Sequence, residues 1–172
     1  MLKIGYLGPE GTYSSHAAKL YDNENLKIPF NTINEVLNSL KLSETNNVVV
    51  PLENSINGSI VEVLDFLASK NKFHIVAELN IEINHSVYSL DNIKNEEVKV
   101  VYSHPQALAQ CYSYLINNFK NAKHKASNST ADSYNDLVNS TEKGVFIGPP
   151  WMKDNERIIV MGENVRSEEH TS

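Results

Sequence analysis

Apolar positions along the chain alternate between short continuous runs and a spacing of three to four, the signatures of strands and of helix faces. Residues 3–7 read as a strand and 13–21 as a helix. Residues 27–32 are strand-like. Ile33, Val36, Leu37 and Leu40 then take the spacing of a buried helix face within 33–42. Val48-Val49-Val50 is a β-branched run of the kind found in strands covered on both faces. Ile60, Val61, Val63, Leu64, Phe66 and Leu67 line a broad helical stripe. A long strand-like stretch over 73–90 follows, alternating at Leu79, Ile81 and Ile83, and it predicts a crossing from one lobe to another. The rhythm then resumes with a strand at 98–102, a helix at 105–119, a strand at 122–126, a helix at 129–139 and strands at 144–147 and 157–161.

Two βαβαβ-like halves joined by long strands predict a two-lobed α/β protein with its ligand between the lobes. The expected division is 1–76 for the first lobe, 77–161 for the second and 162–172 as a tail. Hydrophobic residues are 41% of the 172, and charged residues are 21%, an ordinary globular balance. The net charge of −6 lacks the basic face of a nucleic-acid binder. No run reaches the length of a membrane span, and no signal peptide is seen, so a cytoplasmic protein is expected. The lone Cys111 excludes an internal disulfide and, inside an apolar stripe, reads as a buried small hydrophobe. Scattered histidines give no metal site, and no P-loop or dinucleotide glycine pattern occurs.

Chemistry concentrates where strands end. Gly8-Pro9-Glu10-Gly11-Thr12-Tyr13-Ser14 and Pro51-Leu52-Glu53-Asn54-Ser55-Ile56-Asn57-Gly58 each follow a strand-like run and open a segment of helical spacing. Such turns deliver free backbone N–H groups at a helix start, which favours an anionic ligand. In the first run, Thr12 or Ser14 can cap the helix or touch a ligand, and a cap is the commoner outcome. In the second, an Asx-turn with a cap explains Asn54 or Ser55 but not the whole Glu53-Asn54-Ser55 trio. Ser103-His104-Pro105-Gln106 repeats the theme, with Pro105 suited to the first helical position, His104 or Ser103 before it as cap, and His104 a candidate proton donor or ligand contact. Ser129-Thr130-Ala131-Asp132 has capping-box spacing with Asp in place of Glu, and Thr130 is a candidate to face the cleft. Only two arginines occur, Arg157 and Arg166, so a ligand carboxylate would rely on N–H groups, hydroxyls, amides and lysines.

Together these runs resemble the prephenate dehydratase family. The two long runs look like its first and second signatures. His104-Pro105-Gln106-Ala107-Leu108-Ala109-Gln110-Cys111 is similar to a third, and Ser129-Thr130-Ala131 to a fourth, in family order over residues 1 to 164. The resemblance implies two α/β lobes of the type II periplasmic-binding-protein kind with a ligand cleft between them, no metal and no cofactor. It implies decarboxylating dehydration of prephenate to phenylpyruvate in phenylalanine biosynthesis. The related arogenate-using enzyme and a non-catalytic small-carboxylate binder are the alternatives. By resemblance Asn54, Ser55 and Gly58 line the pocket, Thr12 and Ser14 bind a carboxylate, and Gln106, Ser129 and Thr130 support from the other lobe. A homo-oligomer is expected of the complete protein, with neither nucleic acid nor membrane as partner.

One departure bears on catalysis. The family continues past a Glu-Asn pair, here Glu163-Asn164, into a Thr-Arg-Phe motif that supplies its catalytic Thr and an anchoring Arg. This chain contains no such triplet, so its catalytic group is left unassigned and low turnover is expected. Residues 166–172, Arg-Ser-Glu-Glu-His-Thr-Ser, coincide with the conceptual translation of a widely used sequencing adapter. A truncated reading frame is therefore expected, with natural divergence as the alternative.

Overall fold

The computed structural model describes residues 1–54, 58–69 and 73–165. Its contacts divide the chain into two units, Met1–Ile81 and Glu82–Ser172. The expectation for the seven residues 166–172 lies outside the described residues.

The first unit begins with β1 (Lys3–Leu7), α1 (Tyr13–Tyr21), β2 (Leu26–Phe30), α2 (Ile33–Lys41) and β3 (Asn47–Val49). The three strands form a parallel sheet in the order β2-β1-β3. Ile4 and Tyr6 of β1 are buried, as the central strand of a covered sheet requires. The Ile33, Val36, Leu37, Leu40 stripe does face inward, with Val36 and Leu37 buried. A short antiparallel pair follows, β4 (Glu53–Asn54) with β5 (Gly58–Ser59), and then α3 (Val61–Ala68), whose Val63 and Phe66 pack against Leu37.

The second unit holds β6 (Ser86–Ser89), β7 (Val100–Ser103), α4 (Pro105–Gln110), α5 (Tyr112–Asn118), β8 (Lys123–Ala126), α6 (Thr130–Val138), β9 (Gly144–Gly148) and β10 (Ile159–Gly162). They form one five-stranded sheet, β10-β6-β9-β7-β8, in which β8, β7 and β9 are parallel and β6 runs antiparallel to both its neighbours, β9 and β10. Val87, Val101, Val145 and Ile147 form one core face with Ala107, Cys111 and Leu115. Tyr88 and Phe146 lead the other with Leu137. Structure continues beyond β10, because Val165 is buried in the first of these cores and its N–H donates to the His85 carbonyl at 2.9 Å.

Four expectations are corrected. The strand-like 73–90 stretch is strand only at Ser86–Ser89, because alternation defines a face but a strand also needs a ladder, and among the described residues no sheet includes 73–85. Val48 and Val49 lie in an edge strand and are half-buried, not covered on both faces. The helix expected to open at 55–58 starts at Val61 instead, after the β4–β5 pair has turned the chain, and its cap position, Ile60, supplies no side-chain bond. The 105–119 helix is two helices interrupted at Cys111, where φ is −102° and ψ 6°. Its apolar stripe survives the interruption: Cys111 N–H still donates to the Ala107 carbonyl, and Leu115 N–H to that of Cys111, each at 3.0 Å.

Candidate functional site

Both units repeat one topology. In the first, β1 leads through α1 to β2 on one side and through α2 to β3 on the other. In the second, β7 leads through α4 and α5 to β8, and through α6 to β9. Strand order reverses at the β1/β3 boundary and again at β7/β9. In open α/β sheets the crevice beyond the carboxyl ends of strands at such a reversal receives ligands. The candidate residues fall at those ends.

In the first unit the Gly8–Ser14 turn leaves β1, and Gly8 N–H donates to the Phe30 carbonyl of β2 at 2.8 Å. Gly11 takes φ +89°, a left-handed conformation open to glycine, and so turns the chain into α1. Thr12 caps that helix: its Oγ1 accepts from Ser15 N–H at 3.2 Å and donates to the Pro9 carbonyl at 2.9 Å. Thr12 and Ser14 are both half-buried. Beneath them Ser15 is 1% exposed, and its Oγ has no partner among the described residues. Glu10, next to this turn, is held by Lys19 at 2.9 Å on an exposed surface, so its charge is partly neutralised where an anion would approach.

The second run leaves the neighbouring strand β3, so both turns meet one sheet edge. Asn54 backbone pairs with Gly58 in the β4–β5 ladder. Gly58, at φ +73°, has open space where a Cβ would stand. Ser55 lies outside the described residues, as does the Asn54 side chain.

In the second unit His104 caps α4, its Nδ1 accepting from Gln106 N–H at 3.2 Å, with Pro105 at the first helical position. That bond places the ring proton on Nε2, which leaves Nε2–H as a donor. Gln106 is half-buried. On the adjacent strand end Ser129 caps α6, its Oγ accepting from Asp132 N–H at 3.0 Å, and Thr130 opens the helix. Ser127 Oγ donates to Asp136 at 2.5 Å, which straps this turn to the second turn of α6. Three of the four expected helix starts are therefore real, at Thr12, His104 and Ser129, and each is closed by its expected type of cap.

The sequence reading passed over one element of this end, the Gly148-Pro149-Pro150-Trp151 run leaving β9. Tyr88 Oη donates to the carbonyls of Pro149 at 2.8 Å and Pro150 at 3.2 Å, which fixes the run beside the β7 turn. Burial raises the Tyr88 hydroxyl above its ordinary value, so it stays a proton-bearing donor. A strand followed by Gly-Pro-Pro is the signal that could have found it.

A groove of about 310 Å³ between α2 and α3 is lined by Leu37, Lys41, Glu62, Asp65 and Phe66, and none of the candidate residues above lines it. Lys41 is committed to the Phe66 ring at 5.1 Å, and two carboxylates share the walls, so the groove is unsuited to a dianion. Among the described residues no cluster of His, Cys, Asp or Glu could hold a metal ion, and no helix is long and apolar enough to cross a membrane.

Known proteins carry the same architecture. The family model for prephenate dehydratase matches residues 4–172. The bifunctional chorismate mutase/prephenate dehydratase of Buchnera aphidicola (subsp. Schizaphis graminum) is 40% identical over 142 residues, covering 80% of this chain and 36% of that protein. Arogenate dehydratase/prephenate dehydratase 1, chloroplastic, of Arabidopsis thaliana is 35% identical over 117 residues, 67% of this chain and 29% of that protein. The chain thus spans about a third of the length of these curated relatives. The crystal structure of prephenate dehydratase from Staphylococcus aureus superposes with a TM-score of 0.80 at 26% identity, over 97% of this chain and 61% of that one. A match over nearly the whole chain, on a fold whose capped strand ends stand where the signatures run, has one consequence: the chain belongs to the prephenate dehydratase family.

Proposed function

We propose that the chain binds prephenate and belongs to an enzyme that converts it to phenylpyruvate, carbon dioxide and water in phenylalanine biosynthesis. The observation that carries this is the set of strand-end turns at the two order reversals, with helix starts capped at Thr12, His104 and Ser129. A dianion is suited to such sites because helix N-termini present oriented N–H groups and a partial positive charge. In this reading Thr12, Ser14, Asn54, Ser55, Gly58, Gln106, Ser129 and Thr130 contact the substrate.

In the reaction, the bond between ring and carboxylate breaks and carbon dioxide leaves. The electron pair enters the ring, the carbon–oxygen bond to the hydroxyl breaks, and the leaving oxygen takes one proton to depart as water. Aromatisation drives the step. The residues named hold the substrate and exclude water, and catalysis by such preorganised donors is largely electrostatic. They are assigned binding, and the proton donor is not among them. The protein is read as cytoplasmic and homo-oligomeric. Arogenate, the amino counterpart, is the second reading, favoured by the name of the Arabidopsis relative.

The test supplies prephenate and arogenate separately and follows phenylpyruvate and phenylalanine. Phenylpyruvate formation from prephenate faster than the spontaneous rate supports the first reading. Preference for arogenate would select the second reading, and no acceleration with either substrate would return the chain to a binding role.

A further inference from the structure

His85 and Gln110 are buried polar side chains, 4% and 8% exposed, to which the proposed reaction gives no part. They meet at 2.6 Å, His85 Nε2 against Gln110 Oε1. An amide oxygen only accepts, so the ring carries a proton on Nε2 and donates it to Gln110. Removing that donor would strand a buried amide oxygen.

Both ends of the bond bear on the candidate site. His85 precedes Ser86, the register partner of Gly148, so it stands at the carboxyl end of β9. Its carbonyl accepts from Val165 N–H at 2.9 Å, which ties the chain leaving β10 to the same point. Gln110 is the last residue of α4, a helix of six residues that gives way to α5 at Cys111. A helix of fewer than two turns takes its position from what it packs against. Gln106 lies four residues before Gln110 and therefore on the same face, and long helical side chains lean toward the preceding turn. Gln110 is buried and Gln106 half-buried, so this face runs from the core out to the strand-end turn. A hold on Gln110 thus fixes the rotation of α4 about its axis, and with it the direction of Gln106.

We infer that His85 is a positioning residue: through Gln110 it aims the start of α4, and Gln106 in particular, at the substrate. The inference rests on the reading that Gln106 contacts prephenate.

His85→Leu and Gln110→Met each delete one side of the bond, whereas His85→Gln keeps an N–H donor. Far-UV circular dichroism and urea midpoints follow folding, titration calorimetry gives prephenate affinity, and residual dipolar couplings of backbone amides give the orientation of α4 against β7 and β9. Each deletion should weaken prephenate binding by about ten- to a hundredfold in the folded protein, the cost of a misplaced contact. It should also change the α4 couplings of the ligand-free chain while those of α6 stay as in wild type, and His85→Gln should restore both. Wild-type affinity in either folded deletion overturns the proposal. So does loss of folding in both, which would make the pair a requirement of the fold alone. His85→Gln as weak as His85→Leu refutes the hydrogen bond as the route. A wild type that does not bind prephenate sinks the proposed function instead, and unchanged α4 couplings in the deletions would then overturn the positioning role by themselves.

Discussion

Gly144 opens the central strand β9, and the consequence of giving it a side chain can be worked from its neighbours. A Cβ there would stand 2.5 Å from Val100 Cγ1, 2.9 Å from Leu137 Cδ1 and 2.9 Å from the Val100 carbonyl oxygen. Carbon contacts are comfortable at about 3.5–4.0 Å, so all three are inside the repulsive wall. The Leu137 terminus could rotate away. The Val100 carbonyl cannot, because Val100 is the register partner of Gly144 in the parallel β7–β9 ladder. Overpacking of this kind costs about 1–3 kcal/mol, and the reduced freedom of the unfolded chain returns only about 0.4–1 kcal/mol. For a net loss of about 1.3 kcal/mol and an m-value of about 2 kcal/mol/M, the urea midpoint of Gly144→Ala falls by about 0.6 M. Trp151, the single tryptophan, lies in the same unit and reports the transition by fluorescence. Gly144 is at the amino end of its strand, so ligand affinity of the folded variant should match wild type. A midpoint unchanged or raised would refute the packing argument.

Thr12→Ala and Ser129→Ala each remove a cap and should lower stability by about 1 kcal/mol in urea melts. Both should weaken prephenate binding by more than that loss explains, and an unaltered affinity would leave them as caps alone. Gly58→Ala should cost about 1–2 kcal/mol through its φ of +73° although no other described residue stands within 4 Å of the added Cβ, and a neutral result would refute the strain. The Asp22 carboxyl accepts from Asn25 N–H and side-chain amide, each at 2.8 Å, and from Glu24 N–H at 2.9 Å, with Lys27 at 3.3 Å. These donors, led by the Asn25 N–H, hold it well below the ordinary 3.8. The unfolded chain therefore binds more protons in acid, and the stabilisation is full above the ordinary value and lost as pH falls through the lowered one. Urea midpoints of wild type and Asp22→Asn should differ most at neutral pH, and the gap should shrink as pH falls below the ordinary carboxylate value. A gap independent of pH would refute the assignment.

Most helices and parallel strands were legible because their apolar residues face one core. The Ile33, Val36, Leu37, Leu40 stripe and the Ala107, Cys111, Leu115 line needed no tertiary information beyond the presence of a sheet to cover them. The caps at Thr12, His104 and Ser129 were legible because a side-chain oxygen or ring nitrogen satisfies a nearby N–H whatever the rest of the chain does. Strand pairing was not. Among the described residues, the segment 73–85 has a strand's alternation without a ladder, and Val48-Val49 has a buried strand's composition at a sheet edge. Both depend on what lies alongside, which one-dimensional periodicity does not encode. The β4–β5 turn was hidden for a related reason, because Gly58 serves a hairpin and a helix start equally well in sequence. The repeated strand order, and with it the Gly148-Pro149-Pro150-Trp151 run held by Tyr88, emerges only from the sheet.

The central claim is that the strand-end turns, and not the α2–α3 groove, receive the substrate. Amide chemical shifts of isotopically labelled chain titrated with prephenate test it residue by residue. The account predicts saturable shifts concentrated at residues 8–15, Gly58, 104–106 and 129–130, where N–H groups meet the dianion. Shifts confined to Leu37, Lys41, Glu62 and Phe66, or no saturable shift at any concentration, would contradict it.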